Sequence, residues 1–177
     1  AAFSSGYRIK PMVKQIAEDL QLPGLWQYEV AALMSQIGCI TLPSDILHKL
    51  QAGTTLSEEE QRLYENHPKV GSEMIRKIPR LEKVAVMIEN QLRSFDSCEK
   101  KKFGKEARYG AEILKAAIDY DLLRQQDSGH LQAIRQMTEQ SGKYNPDILK
   151  FLKLHKPQNE HSRIKKPIYR CNSWHDQ

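Results

Sequence analysis

Cysteine is scarce in this chain, and what there is suggests no covalent scaffold. Cys39, Cys98 and Cys171 are odd in number, lie far apart, and none belongs to a CxxC pair. That argues against a disulfide framework and a zinc knuckle, and it fits reduced thiols in a cytoplasm. Cys39 sits in an apolar stretch and reads as a small buried hydrophobe. Long apolar runs are also missing. Nothing approaches the ~18 consecutive apolar residues of a membrane span, so no bilayer insertion is expected. The start, Ala1-Ala2-Phe3-Ser4-Ser5-Gly6, has neither the basic region nor the apolar region of a signal peptide. It also lacks an initiator Met, and we expect it to be cut from a longer protein. Strand-like alternation and internal repeats are absent too.

What is present suits one globular domain. The chain has 177 residues, of which 40% are hydrophobic and 28% charged, enough for a sizeable core. The net charge of +5 is uneven. Residues 1–149 carry equal numbers of acidic and basic side chains, whereas 150–177 hold seven Lys/Arg against Glu160 and Asp176. We therefore divide the chain into a helical domain, 1–155, and a basic C-terminal tail, 156–177, read as a solvated extension. Arg163, Lys165, Lys166 and Arg170 raise nucleic-acid binding. The neutral body and the lack of a binding motif argue against it.

Helical periodicity dominates the body. Ile9, Met12, Val13, Ile16, Ala17 and Leu20 share one helical face, with Pro11 near the start. Leu22-Pro23-Gly24 ends that helix. A second is predicted from Trp26 to Ile37, stopped by Gly38. Pro43 opens a short segment, Ser44 to Leu50. Ser57 and Glu60 form a capping-box pattern, starting a helix to about Asn66. His67-Pro68 punctuates it, and a helix continues to about Lys77. Pro79 opens the next, with Leu81, Val84, Ala85 and Ile88 inward. Residues 94–105 read as an exposed charged loop. A long helix follows, Ala107 to about Arg124, burying Ala111, Leu114, Ala117, Ile118 and Leu122. Another runs from Ser128 to about Gln140, and Asn145-Pro146 opens the last, to about His155. The expected fold is all-α, a compact bundle of seven or more helices.

Four segments also match a known pattern in order. The first is Ala31-Ala32-Leu33-Met34-Ser35-Gln36-Ile37-Gly38-Cys39-Ile40-Thr41-Leu42-Pro43. The second is Leu56-Ser57-Glu58-Glu59-Glu60 ahead of His67-Pro68-Lys69-Val70-Gly71. Ala111-Glu112-Ile113-Leu114 leading to Asp119-Tyr120-Asp121-Leu122-Leu123 is the third, and Gly142-Lys143-Tyr144-Asn145-Pro146 the fourth. Together they resemble the HD-GYP family, bacterial metal-dependent phosphodiesterases for cyclic di-GMP within the HD phosphohydrolases. The resemblance spans about residues 5–155 and implies an HD-domain-like fold.

It also implies a metal site whose ligands are mostly replaced. Ser35 and Gln36 stand where the family has its His-Asp pair, and Cys39 stands for the following Lys. Glu89-Asn90-Gln91 takes the His-His-Glu register. Ile118 stands for a metal-binding Asp, and the loop from Asp96-Ser97 lacks Gly-Tyr-Pro. Only His67 is unchanged. Such a site needs several His and carboxylate ligands converging on two cations. One His and one carboxylate, Glu89, cannot supply them. We therefore expect no metal and no cofactor, with Ser35, Gln36, Glu89, Asn90 and Ile118 as vestigial positions. His67 is expected to pack locally and Asp121 to act as a structural acceptor.

The function expected is a catalytically inactive regulatory or interaction domain in a cytoplasmic bacterial signalling protein. It would sit behind a receiver or sensor domain of a two-component system, with a protein partner or a second copy of itself. Two alternatives are an active cyclic di-GMP phosphodiesterase and a cyclic-dinucleotide receptor without hydrolysis. The receptor would meet phosphates through Lys100, Lys101, Lys102, Lys105 and Arg108.

Overall fold

The computed structural model describes residues 2–97, 104–126 and 128–155. Among them are eight α-helices and no strand. In chain order these are α1 (Ala2–Asp19), α2 (Leu25–Met34), α3 (Ser44–Gln51), α4 (Glu58–Ile75), α5 (Glu82–Glu89), α6 (Lys105–Gln125), α7 (His130–Glu139) and α8 (Pro146–Leu154). A 3-10 turn, Ile37–Thr41, joins α2 to α3. No described helix is long and apolar enough to cross a membrane. The lysines 100–102 and the tail 156–177 lie outside the described residues.

The bundle is organised around α6. Helices α1, α2, α3, α5, α7 and α8 all pack on it, while α4 packs on α5 and on the 3-10 turn. Every residue from Ala111 to Ile118 is buried, so this helix is enclosed rather than amphipathic. Three alanines, Ala111, Ala116 and Ala117, let its neighbours approach, and Ile113 and Leu114 fill the spaces between them. Full burial of each such large apolar side chain stabilises the fold by about 1.5–3 kcal/mol. The predicted stripe on α1 is inside: Ile9, Met12, Val13, Ile16 and Ala17 are buried, and Leu20 packs partly against them.

Several boundaries differ from the sequence reading, each for a local reason. Pro11 lies inside α1. It and Tyr7 are exposed, so solvent can serve the carbonyl that Pro11 leaves without a donor. Helix α2 stops at Met34, before Gly38, because the chain tightens into the 3-10 turn. Helix α5 starts at Glu82 rather than at Pro79, because Arg80 takes a left-handed conformation, φ 72°. Helix α4 runs unbroken through His67-Pro68. Its capping box is formed: Ser57 Oγ accepts from the Glu60 amide at 3.2 Å, and Glu60 Oε2 accepts from the Ser57 amide at 2.8 Å.

The 3-10 turn lies directly on α4. A Cβ on Gly38 would come within 1.9 Å of the His67 carbonyl oxygen, and one on Gly71 would meet the Gly38 amide at 3.1 Å. Both contacts are with backbone, which cannot swing aside. Gly38→Ala should therefore destabilise the domain by about 2 kcal/mol or more, the scale of overpacked interiors, read by chemical denaturation. A variant as stable as the parent would show that the turn is free to lift off α4.

Candidate functional site

The local chemistry begins with a missing donor. Pro68 has no N–H, so the carbonyl of Tyr64, four residues back, lacks its intrahelical partner. His67 supplies one: its Nδ1 bonds to the Tyr64 carbonyl oxygen. A carbonyl only accepts, so Nδ1 carries the proton and the lone pair sits on Nε2. That lone pair faces Nε2 of Gln91 at 3.2 Å. The same Gln91 nitrogen donates to the Ser35 carbonyl at 2.7 Å. One amide group thus ties the end of α2 to the middle of α4.

All three residues are buried. Burial pushes the His67 pKa down to about 4, with the bond to Tyr64 pulling the other way. The ring is neutral at ordinary pH, and both of its nitrogens are engaged.

The other expected positions divide. Ser35 is buried, with its hydroxyl donating to the Ala32 carbonyl at 2.9 Å. Gln36 is buried beside Cys39, whose thiol donates to Gln36 Oε1 at 3.2 Å. Burial pushes the Cys39 thiol up to about 12, so it is no nucleophile. Asn90 is buried and donates to the Val86 carbonyl at 2.8 Å. At these positions three buried side-chain atoms lack a hydrogen-bond partner among the described residues: Gln36 Nε2, Asn90 Oδ1 and Gln91 Oε1. Ile118, Gln36 and Tyr64 line a small cavity of about 50 Å³, with Arg8 and Asp121 also on its wall. By volume it holds a few water molecules at most.

Glu89 turns away from this interior. It is exposed and turned onto α4, where Arg76 meets it at 2.6 Å and the Ser72 hydroxyl at 3.4 Å. Helix α5 ends at Glu89, so the inward pair is Asn90-Gln91. Gln91 is the residue that sequence reasoning missed. The available signal was an amide side chain between the apolar Ile88 and Leu92, just beyond a helix that buries its apolar face.

Asp121 is fully engaged as an acceptor. Arg8 grips it from α1 through Nε at 2.8 Å and a terminal nitrogen at 2.9 Å. Ser5 and Gln125 add bonds at 3.0 and 2.9 Å. Nothing in the sequence pattern had paired Arg8 with Asp121. Lys105 is exposed, and Arg108 lies over the Tyr109 ring and 3.9 Å from Glu112.

These residues do not fit the binuclear metal centre that the resemblance implied. His67 has no free lone pair, Ile118 has no donor atom, and Glu89 points elsewhere. Among the described residues, no three of His, Cys, Asp or Glu come together as a set able to hold a metal ion.

The family profile of the HD domain matches residues 1–148. The chain belongs to the HD domain family. Its fold is similar to the solved structure of Bd1817, an HDG"Y"P protein from Bdellovibrio bacteriovorus, at a TM-score of 0.69 and 16% identity over 86% of this chain. This HD domain spans about half, 51%, of that structure's chain. No curated protein matches it.

Two predictions follow from the His67 geometry. Gln91→Leu strands the Ser35 carbonyl and the His67 lone pair, and should destabilise this HD domain by about 1–3 kcal/mol. Denaturant midpoints of parent and variant measure it, and equal midpoints would contradict the bridge. The second concerns pH. The unfolded His67 takes up a proton near pH 6.5, but the folded one refuses it until about pH 4. Stability should be full above pH 6.5 and fall through the window down to 4, by up to about 3 kcal/mol. His67→Gln should flatten that part of the profile. An unchanged slope would place the titration elsewhere.

Proposed function

We propose that this HD domain is a catalytically inactive regulatory or interaction module of a bacterial signalling protein. One observation carries the reading: the amide of Gln91 occupies the Nε2 lone pair of His67, the only retained family ligand. Hydrolysis of this type needs cations to make hydroxide near neutral pH and to neutralise charge on phosphate. A ligand set with a capped imidazole, an isoleucine and an outward glutamate offers no place to assemble them. Ile118 also turns one wall of the cavity apolar, which disfavours desolvating a doubly charged ion there.

The same side chains do useful structural work. Gln91 joins α2 to α4, and Arg8–Asp121 joins α1 to α6. These ties hold neighbouring helices together with no metal in the arrangement. A domain of this kind acts by presenting a surface to a partner, behind a receiver or sensor domain.

The test is metal content by elemental analysis on protein purified without chelator, with a cyclic di-GMP hydrolysis assay on the same sample. The expected outcome is far less than one equivalent of metal and no turnover after adding manganese or iron. Two equivalents with turnover would overturn the proposal.

A further inference from the structure

The outward face of α4 is not dressed like an ordinary solvent face. Leu63 is 44% exposed, Met74 43%, and Ile78, in the turn that ends the helix, 44%. Val70 lies half-buried between them. At 100° per residue Leu63, Val70 and Met74 fall within about 40° of one another. With Glu59 and Lys77 they make one seam down the helix, Glu59, Leu63, Val70, Met74, Lys77.

That seam has a charge order. Its start is acidic, at the exposed Glu59, and its end is basic, at the exposed Lys77. The flanking row carries the opposite order: Arg62 lies on the first half and Glu73 on the second, both exposed. A face of this pattern complements itself when reversed. We infer that α4 is the interface of a homodimer, packed antiparallel against α4 of a second copy about a two-fold axis near residue 68.

The registration follows from the numbers in the chain. An axis at that point sets Leu63 against Met74 of the second copy and Glu59 against its Lys77. On the flank it sets Arg62 against Glu73. Symmetry makes each pairing occur twice, as an isologous interface requires. A parallel arrangement would instead oppose like charges, Glu59 to Glu59 and Lys77 to Lys77. The present partner of Arg62, Glu58 at 3.8 Å, is an exposed pair. Such pairs contribute little and exchange readily. Helix dipoles also oppose favourably when the helices run antiparallel. His67 lies on the same stretch of α4 but is buried beneath the seam, so the charge pairs stand whether or not the domain turns over substrate.

The test is sedimentation equilibrium of the full chain across a concentration series. The parent should be a dimer. Glu59→Lys and Lys77→Glu, each alone, should weaken dimerisation by about fivefold or more, because each creates two like-charge pairs. The double variant Glu59→Lys/Lys77→Glu should restore it. Met74→Glu should dissociate the dimer without changing the helical circular dichroism, since the side chain is already half in water. A chain that stays monomeric well above micromolar concentration would overturn the inference. So would a dimer indifferent to Met74→Glu, or one that the double charge swap fails to rescue, since either would place the contact on another face or with another partner.

Discussion

A single carbonyl, that of Tyr64, sets the character of the site. Pro68 denies it the usual helical donor, and the ring of His67 takes up the bond. This fixes which imidazole nitrogen carries the proton and aims the other at the interior. In a site rich in carboxylates and imidazoles such a lone pair is the natural handle for a cation. Here the nearest group is an amide N–H, and the handle becomes a hydrogen bond. Gln91 places its other hydrogen on the Ser35 carbonyl, which ties the end of α2 to α4.

The backbone frame around that tie is set by close approach of one segment to another. Gly38 and Gly71 allow the 3-10 turn to lie on α4 at a separation that no side chain permits. The capping box at Ser57 fixes where α4 begins, and hence where His67 points. Such constraints depend on sterics and backbone hydrogen bonds, not on catalysis. They hold the HD-domain fold independently of what chemistry its side chains do.

The legible parts of the sequence were those governed by period and by local chemistry. Ile9, Met12, Val13, Ile16 and Ala17 declared a buried face, and Ser57 with Glu60 declared a helix start. The resemblance placed His67, and its neighbour Pro68 suggested a break. In fact α4 continues, because a side chain replaces the donor that proline lacks, and this compensation depends on a ring orientation that spacing does not encode. The inward turn of Gln91 and the outward turn of Glu89 were not legible for a related reason. Which of three consecutive residues faces inward depends on where α5 ends, and helix ends are weakly specified by pattern. The Arg8–Asp121 pair joins residues 113 apart in the chain, and only packing brings them together.

The most direct measurement is a long-range proton–nitrogen NMR spectrum of the His67 ring at neutral pH, before and after adding zinc or manganese. A neutral ring protonated on Nδ1, with an Nε2 that accepts a hydrogen bond and ignores the metal, is the predicted result. A ring protonated on Nε2, or an Nε2 signal that shifts or vanishes as metal is added, would contradict the capped lone pair and with it the inactive site.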